Sequence, residues 1–175
     1  MLGLSREVIN RLVINDGLIR IGEGNERYLI IPIRAFGAMY EVTYRLVGHG
    51  VTGLLYLVGK EIGRRLLEEV RYRLKAKEIK TPEATAKELF SFLSDLGFGR
   101  VELVSLEDSK AVVRIYDSPT SSSVSKCERP VCHLERGILA GAAEAFFGVK
   151  CVANEVKCRC LGSNYCEFIV SWGKS

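Results

Sequence analysis

All six cysteines of this 175-residue chain fall between Cys127 and Cys166. Clustered thiols bind zinc-like metals or exchange electrons, and random placement would scatter them along the chain. Generic spacing offers more than one ligand set: Cys127-x4-Cys132 with Cys158-x-Cys160, or the same pair with Cys166. Spacing alone does not choose among them. Cys132 stands in the first turn of an expected helix, where the macrodipole favours a thiolate. Cys158 and Cys166 flank the turn Leu161-Gly162-Ser163-Asn164, so their side chains can converge at a hairpin end. Glu155 lies three residues before Cys158, which in a regular strand puts the two on opposite faces. A bulge or bend is required if both are to reach one ion.

Other chemistries find little support. There is no G-x-G-x-x-G after a strand, no Walker motif, no H-E-x-x-H and no G-x-S-x-G. Only His49 and His133 are present for acid–base work near neutral pH. No catalytic residue is assigned and an enzyme is not indicated.

The elements that must position the cysteines read as follows. Arg6–Asn15 carries a helical stripe, and Leu18–Gly22 with Arg27–Ile33 reads as a hairpin around Glu23–Glu26. Helices are expected over residues 35–48 and 52–77, the second with Gly53, Gly59 and Gly63 where a neighbour can approach. Thr81 as N-cap, Pro82 and Glu83 open a further helix that Gly97 stops. Strands 99–106 and 111–116 follow. Ser118–Ser123 reads as a polar, mobile loop. A helix from Val131 to Phe147 presents the small-residue run Gly137, Ala140, Gly141, Ala142 and Ala143, and strands 149–158 and 165–172 close the chain. Strands arriving as adjacent pairs imply an α+β fold, an antiparallel sheet built from hairpins against a helical layer, in a single domain over residues 1–175.

Composition bounds the partners. Twenty-five basic and 21 acidic side chains leave a net charge of +4, spread along the chain, which makes nucleic acid an unlikely partner. No apolar run reaches the ~18 residues of a membrane span. Charges near the N-terminus stand where a signal peptide needs an apolar run, so a cytoplasmic location is expected. The absence of glutamine beside abundant Glu, Lys and Arg points to a thermophile.

The stretch Glu155-Val-Lys-Cys158-Arg-Cys-Leu-Gly162-Ser-Asn-Tyr-Cys166-Glu-Phe168 resembles the closing signature of the 4-vinyl-reductase domain family: E-x-x-C, a glycine at the turn, then C-x-F. In the aromatic-sensing members zinc is held by that Glu and those two Cys, with a further Cys on the upstream helix. Carried over, the resemblance implies a zinc site of Cys132, Glu155, Cys158 and Cys166 within a signature spanning 132–168. Cys127, Cys151 and Cys160 are left over, as packing thiols or as a redox switch.

The resemblance further implies a fold like that of TRAPP vesicle-tethering subunits, a homodimer, and a small apolar or aromatic ligand. The expected pocket wall is Phe36, Tyr40, Tyr44, Tyr56, Phe90, Tyr116 and Phe146, with Phe98 beside them. The histidine and tryptophan by which phenol sensors hold a hydroxyl have no matching positions. The function implied is a ligand sensor or carrier stabilised by structural zinc and acting through a regulatory partner protein. The alternatives are a scaffolding homodimer or an accessory to tetrapyrrole vinyl reduction.

Overall fold

The computed structural model describes residues 12–21, 26–75 and 81–173, the last three of the second stretch by their backbone only. The chain divides into two units, Met1–Pro32 and Ile33–Ser175.

In the first unit, strands β1 (Leu12–Asn15) and β2 (Leu18–Ile21) pair antiparallel, with Asn15 opposite Leu18. The loop between them is Asp16-Gly17, both at positive φ (47° and 74°), the backbone that a two-residue hairpin demands. This corrects the helix expected over Arg6–Asn15: its last four residues are strand, and the rest lie outside the described residues. The Asp-Gly turn signal outweighs the helical stripe because it fixes the chain reversal locally. The hairpin expected around Glu23–Glu26 reduces, among the described residues, to one bridge, Tyr28 N–H to Ile19 O at 2.9 Å.

The second unit holds helices α1 (Arg34–Val47), α2 (Val51–Lys75), α3 (Pro82–Asp95), α4 (Pro119–Ser123) and α5 (His133–Phe147). Its strands are β3 (Arg100–Leu106), β4 (Lys110–Tyr116), β5 (Cys151–Lys157) and β6 (Cys166–Trp172). These form one antiparallel sheet in the order β3-β4-β6-β5, the α+β architecture that paired strands imply. As the capping chemistry of α3 requires, Thr81 Oγ1 accepts the Ala84 N–H at 3.3 Å.

The core lies between one face of the sheet and helices α3 and α5. Val113, Ile115, Phe168 and Val170 on the strands meet Phe92, Leu93, Ile138 and Leu139 on the helices, all buried. Each such side chain contributes about 1.5–3 kcal/mol by leaving water. Against the outer side of α5 lies α2, and the contact depends on glycine. A Cβ on Gly59 would meet Leu134 O, on Gly63 Ile138 O, on Gly137 Tyr56 O and on Gly141 Lys60 O. Backbone therefore rests on backbone, which fixes where α5, and with it Cys132, stands relative to the sheet.

Ser118–Ser123 departs from its expectation as a mobile loop. It contains helix α4 and is largely buried, Ser118 at 0% and Thr120 at 3% exposure. Its hydroxyls find partners inside the protein, which composition alone does not reveal.

Candidate metal centre and ligand cavities

The helix–strand arrangement brings Cys132, Glu155, Cys158 and Cys166 together, with one ligand atom from each, all within 4.8 Å of one another. Cys132 is the N-cap residue of α5. Glu155 sits near the end of β5, where the β5–β6 register shifts between Glu155 and Lys157. That irregularity supplies the bend which lets Glu155 and Cys158 face one point. Cys158 begins the turn and Cys166 opens β6.

Three of the four are fully buried thiols, and their contacts are short. Cys132 Sγ lies 3.5 Å from Cys166 Sγ, and Ser118 Oγ 3.3 Å from Cys132 Sγ. Arg159 N–H donates to Cys166 Sγ at 3.3 Å, and Ser121 Oγ is 3.4 Å from the same sulfur. Cys132 N–H donates to Glu155 Oε2 at 3.0 Å, while Glu155 Oε1 is buried with no partner among the described residues. A tetrahedral ion with metal–sulfur bonds of about 2.3 Å holds its sulfurs roughly 3.8 Å apart, close to the spacing seen. The orphaned oxygen and the convergent sulfurs fit a divalent cation.

Burial sets the protonation of the cluster. It pushes the Cys132 thiol well up. Burial first, then Cys158, lifts the Glu155 carboxyl to about 9. Hydrogen bonds from Cys132 and Cys158 pull Cys166 down to about 4. Burial thus favours the protonated carboxyl of Glu155, while the hydrogen bonds from its neighbours favour the thiolate of Cys166.

Behind the cluster lies a buried hydrogen-bond network that sequence reasoning misses. Glu135 on α5 is 1% exposed and takes three hydrogen bonds: Ser118 Oγ at 2.9 Å, Thr120 N–H at 2.9 Å and Thr120 Oγ1 at 3.0 Å. Burial raises its carboxyl above the ordinary range. Ser118 therefore touches both Glu135 and the Cys132 sulfur. The available signal was an acid in the first turn of a helix whose later residues are mostly small and apolar.

Of the remaining cysteines, Cys127 and Cys160 form a disulfide with Cα atoms 6.0 Å apart. It ties the segment leading to α5 to the turn between Cys158 and Cys166. Cys151 is a buried free thiol whose pKa burial raises to about 11.

The eight aromatics expected to wall a pocket do not surround one cavity. Phe90 and Phe146 line an apolar cavity of about 70 Å³ between α3, α5 and the sheet, with Leu89, Leu103, Leu139 and Trp172. Tyr40 and Tyr44 line a separate, larger and more polar cleft of about 1260 Å³, which reaches Glu155 and includes His133 and Arg136. Tyr56 lies under the Arg136 guanidinium, 4.7 Å from ring centre to Cζ. Tyr116 lies under the Arg100 guanidinium and meets the Tyr165 ring at a tilt, and Phe36 packs edge-on against Phe98. His133 Nε2 lies 3.3 Å from Thr52 Oγ1, and burial, then Arg136, lowers its imidazole to about 4. Among the described residues no helix is long and apolar enough to cross a membrane.

Comparison with known proteins finds likenesses to these features. The 4-vinyl-reductase domain model matches residues 111–171, from β4 through β6. An uncharacterised protein of Methanocaldococcus jannaschii, MJ1642, is 34% identical over 117 residues, covering 67% of this chain and 62% of that protein. The match thus spans less than two thirds of that relative's length. Among solved structures, the phenol-responsive sensory domain of the transcription activator PoxR, with phenol, is similar at a TM-score of 0.80 and 18% identity. The match covers 94% of this chain and 86% of that one. A trafficking protein particle complex subunit 3 from Naegleria fowleri, covalently bound to palmitic acid, is similar at 0.64 and 14%, covering 81% and 93%. These two likenesses concern the fold. A vinyl-4-reductase family protein from Methanocaldococcus jannaschii is similar at 0.59 and 26%, covering 84% and 85%. The matched segment contains all four clustered residues and the closing E-x-x-C and C-x-F signature, and it is through this segment that the chain is similar to the 4-vinyl-reductase domain family.

Proposed function

We propose that this protein is a ligand-binding sensor or carrier domain, with a structural zinc at its base and a small apolar molecule as its ligand. The observation that carries the reading is the apolar cavity walled by α3, α5 and the sheet, set in a layer that the metal cluster anchors. Its lining is hydrophobic and aromatic, the character of small-molecule sites. At about 70 Å³ it is roughly half the volume of an engineered cavity of about 150 Å³ that takes up benzene. Binding an arene therefore requires the Phe146, Phe147 and Trp172 wall to yield, and that movement is the signal a partner protein would read. The sensory domain of PoxR, similar in fold, is described as phenol-responsive.

Zinc is the metal that suits three thiolates and a carboxylate. Cys132, Glu155, Cys158 and Cys166 would complete a closed tetrahedral set, which is a structural arrangement. Bound there, the ion cross-links the start of α5 to the β5–β6 hairpin and contributes directly to folding. A cytoplasmic, thermophilic setting reconciles four free thiols with one disulfide.

A second copy of the chain is the proposed partner for the exposed apolar stripes of α1 (Met39, Val42, Leu46) and α2 (Leu54, Leu57, Val58). A patch of this kind marks an interaction surface. Sedimentation of wild type and Leu57→Asp tests it: a dimer that the charge converts to monomer supports the reading, and a wild-type monomer refutes it.

The ligand reading is tested by thermal shift and native mass spectrometry with toluene and with hexadecanoate. Saturable binding that Ala143→Phe abolishes by filling the cavity supports it. Binding unchanged in that variant, or none of either ligand, overturns it.

A further inference from the structure

The polar cleft is separate from the apolar cavity, and its chemistry is different. Four cationic side chains line it, Arg45, Lys126, Arg129 and Arg136, and none forms an ion pair among the described residues. Elsewhere the cations are paired readily: Lys60 with Glu144, Arg114 and Lys157 with Glu167, Arg64 and Arg65 with Glu61. At the rim, exposed Glu41 and Glu128 offset part of the positive charge, and solvent screens what remains.

Arg136 is the exception, because it is partly buried. Its Nε–H is buried with no acceptor among the described residues, while the Tyr56 ring covers one face of the guanidinium. A buried charged donor left unmade is unfavourable, and a native fold retains one where something else completes it. The guanidinium presents a planar fork that matches a carboxylate with two parallel hydrogen bonds.

Rings form the neighbouring wall. Tyr40 and Tyr44 stack at 6.3 Å with planes 10° apart, Tyr44 meets His49 at 5.9 Å, and Tyr40 meets His133 at 6.1 Å. Flat rings beside a single partly buried fork suit a flat anion better than a bare phosphate, which has no surface to stack. We propose that this cleft binds a small aromatic carboxylate, its ring against the Tyr40–Tyr44–His49 wall and its carboxylate on Arg136. The proposal stands whether or not the apolar cavity takes a ligand of its own.

Isothermal titration of the metal-loaded protein with benzoate tests it, with toluene and inorganic phosphate as the other probes. Benzoate should bind and raise the melting temperature. Arg136→Met should weaken it by about tenfold or more, the loss expected for a charge-assisted pair. Arg136→Lys, which keeps the charge and loses the fork, should fall between, and stands in if the Met variant does not fold. Toluene should not displace benzoate, and phosphate should bind far more weakly. Benzoate binding that Arg136→Met leaves unchanged overturns the proposal, as does displacement by toluene, equal binding of phosphate, or no benzoate binding at about 10 mM, where a site of useful affinity is filled.

Discussion

Glu155 turns one carboxylate oxygen toward the backbone N–H of Cys132 and leaves the other buried beside three sulfurs, without a partner among the described residues. A single side chain at the β5 register shift thereby holds the helix start and completes a cluster of four residues that could hold a metal ion. The hydrogen bond positions Cys132, and the orphaned oxygen is the atom a metal would claim.

Replacing Glu155 with Gln separates those two roles. The amide can still accept from Cys132 N–H, and because the carboxyl is held up at about 9 it is largely protonated at neutral pH, so Gln resembles it. The chelator-stripped variant should melt within a few degrees of stripped wild type. Zinc affinity should fall by about tenfold or more with the anionic ligand gone, measured by competition with a chromophoric chelator. Unchanged affinity would remove Glu155 from the ligand set.

The cluster also makes a pH prediction, and its two shifted groups oppose each other. Glu155, raised from 4.5 to about 9, contributes stability that is present at low pH and lost as pH rises through 9. Cys166, lowered from 9.0 to about 4, contributes stability that is present at high pH and lost as pH falls through 4. Between about pH 5 and 8.5 the two slopes nearly cancel, so the stripped protein's stability should change little from this source. Zinc removes the cancellation, since it displaces the protons on Glu155 and Cys132. Affinity should rise with pH across that window, and calorimetry in buffers of different ionisation heat should show net proton release. A pH-independent affinity would mean that these groups are not displaced.

The fold and the cluster were legible to different depths. Thr81-Pro82 and Gly97 act within a few residues, so both ends of α3 could be read directly. The E-x-x-C and C-x-F signature, with the cysteine on the upstream helix, named the four residues that β5, β6 and the start of α5 bring together. What escaped depends on contacts distant in sequence. The hydroxyls of Ser118 and Thr120 look like a loop until Glu135, some fifteen residues on, is seen to accept from them. Periodicity placed the aromatics on apolar faces, but Tyr56 and Tyr116 ended under arginines, because a ring face attracts a cation as readily as another ring.

Removing the Glu135 carboxylate should show how far α4 supports the cluster. Glu135→Leu leaves Ser118 Oγ, Thr120 N–H and Thr120 Oγ1 without their acceptor in a buried site. Each lost bond to a buried donor costs about 1–3 kcal/mol, so denaturant unfolding should show a loss of at least that size. Thr120→Val removes one of the same bonds, and the double variant should lose less than the sum of the two singles. Full additivity would show that the two residues do not act as a unit.

The contact between α2 and α5 gives the clearest contrast, because chemically identical substitutions should act in opposite directions. A methyl group on Gly141 would run into the carbonyl and Cα of Lys60, which are backbone atoms and cannot swing aside. Gly141→Ala must push the helices apart and disturb the α5 start that carries Cys132, a loss of about 1–3 kcal/mol or more. Gly53, in the exposed first turn of α2, has nothing within 4 Å of the position a Cβ would take. Gly53→Ala should gain about 0.5–1 kcal/mol by limiting the unfolded chain and raising helix propensity. Urea midpoints of the two variants decide it, read with zinc content, which should fall only for Gly141→Ala. If the two midpoints shift alike, the close backbone contact is not what sets the position of α5.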